Sequence, residues 1–260
     1  MKLGIFGDSF ATCAYDDVGY TWPRLLFKEE GIGGVVSKDM LSTDCYAIAG
    51  SSAFWAYSHF MSRRHLYDHI IFLTTYHNRW PLLPKEIESY SWNIHSHDVP
   101  GFPDELKHMN KFYYDIFNMD LLRLINQSIF RQVNEICKTE NKYLINIICF
   151  DKDHYDFSIT DFPIFYNLNL VSSGEKIVVN GEDLTMRQYV NDRQNYDRRH
   201  CHMGHANNMI FKNIMLDCLR NKTMNLQVDL YNTNYHWAGH DDSLYDIFKF
   251  PKPSLRVAAI

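Results

Sequence analysis

Short apolar runs separated by long amphipathic stretches are the feature that most constrains how this chain can fold. Residues 2–6, 46–49, 69–75 and 143–150 are brief, rich in β-branched or aromatic side chains and closed by polar residues or glycine, so each reads as a strand. Between and after them, residues 21–30, 52–66, 104–140 and 204–220 carry helical periodicity. In the third of these, Met109, Phe112, Tyr113, Ile116, Phe117, Leu121, Leu124 and Ile125 recur at three- and four-residue spacing, a stripe that belongs against a core. In the last, Ile210, Phe211, Ile214, Met215 and Cys218 share one side. Strands alternating with helices predict an α/β fold, a three-layer α/β/α sandwich around a mostly parallel five-stranded sheet.

The chain has 260 residues, 46% hydrophobic and 22% charged, enough to bury a large core and to exclude disorder as its main state. No repeat or linker divides it, so a single domain over 1–260 is expected. Two stretches break the pattern: about 78–103, rich in Pro, Trp, Ser and His, and about 151–195, with turn signals at Ser172-Ser173-Gly174 and Asn180-Gly181. Both read as insertions at the sheet's edge. A C-terminal extension begins at about 222 and contains a candidate strand at 226–231. Ligands of open α/β sheets bind outside the carboxyl ends of the strands, where such insertions would shape a pocket.

The net charge of −5 provides no basic footprint for nucleic acid, and the pairs Arg63-Arg64 and Arg198-Arg199 are too short to alter that. No apolar run approaches the length of a membrane span, and only Leu3-Gly4-Ile5-Phe6 separates Met1-Lys2 from Gly7-Asp8, so a cytoplasmic protein without an export signal is expected. Its six cysteines contain no Cys-x-x-Cys and are expected to be reduced and structural.

The sharpest chemical signal is Gly7-Asp8-Ser9-Phe10, where the first strand ends. A serine there stands at the carboxyl edge of the sheet, and the following turn can aim N–H groups at a developing oxyanion. Serine becomes a nucleophile only when a neutral imidazole takes its proton, and an aspartate must hold that imidazole in the right tautomer. Further along, Asp197-Arg198-Arg199-His200-Cys201-His202-Met203 precedes the last helix, in the order Ser, Asp, His.

These segments resemble the blocks of the SGNH hydrolases, a family of esterases and acyl hydrolases named after separated Ser, Gly, Asn and His blocks. The resemblance implies the flavodoxin-like fold of that family, Ser9 as nucleophile, Asp197 and His202 as its partners, and Gly50 of Ala47-Ile48-Ala49-Gly50-Ser51-Ser52 as an oxyanion donor. The usual Asp-x-x-His spacing would select His200, whereas the His-Met-Gly-x-x-Asn-Asn run from His202 looks more like the family's His block; His202 is the preferred base and His200 its alternate. The third block, Gly-x-Asn-Asp in the family, is blurred in Thr74-Thr75-Tyr76-His77-Asn78-Arg79-Trp80. Asn78 is the expected third donor, with His77 and Thr75 as alternates, the latter in a Thr-x-x-x-Arg arrangement that resembles phage-encoded members. Trp22-Pro23 and Leu25-Leu26 are similar to phage-type members too, and the Asn-, Ile-, Lys- and Tyr-rich composition suits a viral or AT-rich source. The implied activity is cleavage of an acyl or acetyl ester of a carbohydrate or small molecule, without metal or organic cofactor. Gly-x-Ser-x-Gly, the mark of a nucleophile elbow, does not occur.

Two other readings compete. His200, His202 and His205 with Asp197 offer zinc-type ligands, although there is no His-Glu-x-x-His and the serine block would be left without a role. The many aromatic residues would also suit a non-catalytic SGNH-like module that binds a carbohydrate or a partner protein, against which the Ser9, Asp197 and His202 set stands; Trp80, Trp92, Tyr166 and Trp237, in the insertions and tail, are expected to wall a pocket over Ser9. His95 and His97 are expected to be solvated or to line the pocket, and His236 and His240 have no evident partner. No Gly-x-Gly-x-x-Gly or Walker sequence follows any strand, which argues against a nucleotide binder.

Overall fold

The structure is a computed structural model that describes residues 1–8, 10–12, 21–33, 44–48, 51–77, 79–80, 92–93, 119–149, 155–166, 176–179, 182–185, 203 and 205–222. Along the chain these form β1 (Leu3–Gly7), α1 (Trp22–Phe27), β2 (Cys45–Ala47), α2 (Ala53–Arg63) with a 3-10 turn at Arg64–Leu66, and β3 (His69–Thr74). There follow β4 (Arg79–Trp80), β5 (Trp92–Asn93), α3 (Met119–Thr139), β6 (Tyr143–Ile148), β7 (Ile164–Tyr166), β8 (Lys176–Val179), β9 (Glu182–Thr185) and α4 (His205–Asn221).

Five strands make one parallel sheet in the order β2-β1-β3-β6-β7. Its inner strands are buried on both faces, which is why they read as unbroken apolar runs rather than as alternating ones. Their side chains nevertheless divide by parity. Leu3, Ile5, Ile71, Leu73, Ile145 and Ile147 pack with Trp22 and Leu26 of α1 and Phe211, Met215 and Cys218 of α4. Phe6, Ile70, Phe72 and Leu144 pack on the opposite face with Trp55 and Phe60 of α2 and Ile129 and Val133 of α3. The result is the expected three-layer α/β/α sandwich. On the second face one position is polar by design: Asn146 of β6 and Asn134 of α3 exchange amide hydrogen bonds of 3.0 and 3.1 Å, and Asn134 also donates to the Phe130 carbonyl at 2.8 Å. A buried reciprocal pair of this kind fixes one register of helix on sheet, since any other leaves four polar groups unmatched.

Local signals explain the element ends. Ser52 caps α2, its hydroxyl accepting the Trp55 N–H at 3.1 Å, and Pro23 occupies the first turn of α1, where no hydrogen bond is lost. Gly7 is required at the end of β1 because a Cβ there would lie 2.7 Å from Leu73 Cβ. The first helix is tighter than the periodicity predicts, ending at Phe27, while of the stretch 104–140 the described residues 119–139 form α3 and Met109, Phe112, Tyr113, Ile116 and Phe117 lie outside the described residues.

The fifth strand was not among those expected. Ile164–Tyr166 pairs in register with Asn146–Ile148 of β6 and so belongs to the sheet, although it lies within the stretch read as an insertion. Three residues in an Asp-rich context are too few to display a strand pattern. The same stretch holds the antiparallel pair β8 and β9, whose partners Val179 and Glu182 flank the Asn180-Gly181 signal. The stretch from 78 contributes the short β4–β5 pair. The candidate strand at 226–231 lies outside the described residues. No helix among the described residues is long and apolar enough to cross a membrane.

Candidate active site

Relabelled by position in the main sheet alone, the strand order is 2-1-3-4-5, and in sheets of this order the crevice for a ligand opens at the carboxyl ends of β1 and β3, where the connections diverge to opposite faces. Asp8 follows β1 there and Thr75 follows β3. Asp8 is only 1% exposed, and donors surround its carboxylate. Oδ1 accepts the Phe10 N–H at 3.0 Å, while Oδ2 accepts the Thr75 hydroxyl at 2.5 Å and Arg79 Nη1 at 2.7 Å. The Asp8 carbonyl also accepts the Ala11 N–H at 3.0 Å. A buried carboxylate is tolerated when its charge is paired and its lone pairs are filled, and here both conditions are met.

The loop after β2 is tied to the same point. Ser51 donates its hydroxyl to the Gly7 carbonyl at 3.0 Å, its N–H closes a turn on Ile48 at 3.1 Å, and its carbonyl lies 3.5 Å from Arg79 Nη1. Arg79 therefore stands between the loop that follows β1 and the loop that follows β2. Beneath it, the Cys149 thiol is fully buried; burial pushes its pKa well up and the Asp8 charge adds to that, with Arg79 opposing. Fully enclosed, Cys149 packs as a structural thiol.

A second assembly approaches from the α1/α4 face. The Trp22 indole donates to the Phe10 carbonyl at 2.7 Å, the Trp22 backbone N–H donates to Asn208 Oδ1 at 2.9 Å, and Asn208 Nδ2 donates to the Met203 carbonyl at 2.8 Å. Met203 is buried in the same apolar cluster as Phe10, Ala11 and Trp22, and Trp22 meets Phe211 of α4 edge-on, with ring centroids 5.2 Å apart. The residue after Ser9 and the residue after His202 are therefore joined through two buried side chains.

The expected site residues Ser9, Gly50, Asn78, Asp197, His200 and His202 all lie outside the described residues, as do His95, His97, His236 and His240. What the fold brings together are their immediate neighbours: Asp8 and Phe10, Ser51, Arg79, and, across the relay, Met203. Of the alternates for the third donor, Thr75 spends its one proton on Asp8, and the buried His77 ring lies tilted against Tyr76, 4.5 Å between centroids. Sequence reasoning did not assign roles to Asp8, Arg79 or Asn208. Arg79 was visible only as the last letter of Thr-x-x-x-Arg, and Asn208 only as part of the run from His202. Among the described residues no group of three or more His, Cys, Asp or Glu side chains is placed to hold a metal ion. No protein-family model matches the chain, and no curated protein matches it in sequence.

Proposed function

We propose that this chain is a serine ester hydrolase of the SGNH type, cleaving an acyl or acetyl ester of a carbohydrate or small molecule through an acyl-enzyme on Ser9. The observation that carries the reading is the hydrogen-bonded relay from Phe10 through Trp22 and Asn208 to Met203, because it draws the flanks of the proposed nucleophile and the proposed base toward one another. The parallel sheet supports it by setting Gly7-Asp8 at the carboxyl edge, and the Ser51–Gly7 bond supports it by tying the loop that contains Gly50 to the same edge.

In the proposed reaction, Ser9 Oγ attacks the ester carbonyl while His202 takes its proton, and Asp197 orients and stabilises the imidazolium. The N–H groups of Ser9 and Gly50 receive the oxyanion, each such donor lowering the barrier by about 3–4 kcal/mol. Collapse expels the alcohol, which leaves with the proton from His202. Water then attacks the acyl-enzyme with His202 again as base, releasing the acid and restoring Ser9. Every proton in this cycle is moved by a side chain. The net charge of −5 suits a neutral ester in the cytoplasm better than nucleic acid or an anionic membrane surface.

Ser9→Ala tests the reading: turnover of p-nitrophenyl acetate should vanish while circular dichroism and thermal melting stay those of the parent, and retained turnover would overturn it. His202→Ala and His200→Ala, compared side by side, identify the base, since only the true one should lose several orders of magnitude in kcat. A chelator should leave the activity intact, where a metallohydrolase built on His200, His202 and Asp197 would lose it.

A further inference from the structure

We propose that Asp8 and Arg79 act as a positioning pair, holding the Ser9 and Gly50 loops in register and cancelling the buried negative charge beside the nucleophile. The proposal rests on the reading of Ser9 as nucleophile. It begins from an apparent conflict: the residue directly before Ser9 is a carboxylate with 1% exposure, and an uncompensated anion there would oppose the oxyanion that the reaction creates close by. Arg79, with its side chain 14% exposed, removes that conflict by pairing with Asp8 at 2.7 Å. The pair is too enclosed to be an ordinary surface salt bridge, and the Thr75 hydroxyl donates to the same Asp8 oxygen.

The pair also fixes backbone. Asp8 Oδ1 holds the Phe10 N–H, so the carboxylate ties the residues on either side of Ser9 to each other. Arg79 Nη1 reaches toward the Ser51 carbonyl, adjacent to Gly50, while the Ser51 hydroxyl holds the Gly7 carbonyl. Asp8 and Ser51, the neighbours of the two residues proposed to bind the oxyanion, thus share one guanidinium. Preorganised donors stabilise a transition state only while their spacing is held, and misplacement by about 1 Å costs on the order of 100-fold. Both contacts come from the one nitrogen Nη1, whose N–H bonds are fixed in the guanidinium plane, a geometry that a lysine ammonium on its shorter stem reproduces only in part.

Rate of covalent labelling by a fluorophosphonate reads this directly, because Ser9 Oγ bonds to phosphorus, fluoride leaves, the base takes the proton, and the phosphoryl oxygen enters the oxyanion position. The full chain is compared with Arg79→Gln, Arg79→Lys, Asp8→Asn and the double variant Asp8→Asn/Arg79→Gln, with p-nitrophenyl acetate kinetics and circular dichroism on each. Arg79→Gln should lower the labelling rate and kcat by about 100-fold with KM changed by less than about threefold. Arg79→Lys should recover about tenfold of that loss. The double variant should be no slower than the slower single one, since both substitutions break the same link. If Arg79→Gln does not fold, the double variant, which leaves no unpaired buried charge, and Arg79→Lys make the same comparison. Parent-like labelling in these folded variants would overturn the pair while leaving Ser9 in place. Losses that multiply in the double variant would overturn it too, giving Arg79 its own contact with substrate. A parent chain that neither labels at Ser9 nor turns over ester would overturn the hydrolase reading and this proposal with it.

Discussion

Asn208 is the point at which stability and the proposed chemistry are most tightly joined. It is 5% exposed and serves both the Trp22 N–H, at 2.9 Å, and the Met203 carbonyl, at 2.8 Å. Asn208→Leu keeps much of the volume, so little cavity forms, but it leaves a buried donor and a buried acceptor without this partner. Each orphaned group costs about 1–3 kcal/mol, which sets the loss at about 2–5 kcal/mol. Urea unfolding followed by tryptophan fluorescence would show it as a midpoint lowered by about 0.7–2.5 M, taking a slope of about 2–3 kcal/mol/M for a chain of this size. Trp22 should remain packed, held by Phe211 and its indole bond to Phe10, so the damage concentrates where Met203 joins α4. Ester turnover measured well below the new midpoint should therefore fall at least about tenfold, because the residue before Met203 is the proposed base. A midpoint shift under about 0.3 M with unchanged turnover would refute the relay as a structural link.

Two further predictions concern the helices that cover the opposite face. Asn134→Leu or Asn146→Leu alone should cost about 2 kcal/mol by stranding the other amide, and the double Leu variant should recover most of it; additive losses in urea unfolding would count against the reciprocal pair. His59, packed by Trp55 and Tyr46 near Arg63, has its pKa pushed down to about 4 from 6.5, by burial first and the Arg63 charge second. The unfolded chain then binds a proton that the folded one does not between those values, so stability falls as pH drops from 6.5 to about 4 and levels off below. With the ring partly hydrated the effect is on the order of 2 kcal/mol, and His59→Gln should remove that part of the slope between pH 7 and 4; equal slopes in the two proteins would contradict it.

Strands buried on both faces declare themselves in a sequence, which is why β1, β3 and β6 were legible and the parallel class followed from them. β7 was not, because three edge residues in an Asp-rich stretch carry too little pattern to separate strand from loop. The turn signal at Asn180-Gly181 was legible because turn chemistry acts within a few residues. Asp8 with Arg79 was not, because nothing short of the β1–β3 adjacency places residue 8 against residue 79. Thr75 illustrates the same limit: the resemblance of Thr-x-x-x-Arg to phage-encoded members suggested an oxyanion donor, and only the neighbouring strand shows that its proton goes to Asp8. Asn208 was read as one letter of a block, whereas its contacts make it the link between α1 and α4.

The central claim is that Ser9 is a nucleophile, and the most direct measurement locates the adduct formed by a fluorophosphonate on the folded full chain, by digestion and mass spectrometry with a chelator present. The account predicts one stoichiometric adduct, on Ser9, lost in Ser9→Ala and on prior unfolding. An unlabelled Ser9 in folded protein that still hydrolyses ester would contradict it, and an unlabelled, inactive chain would favour the carbohydrate- or protein-binding module instead.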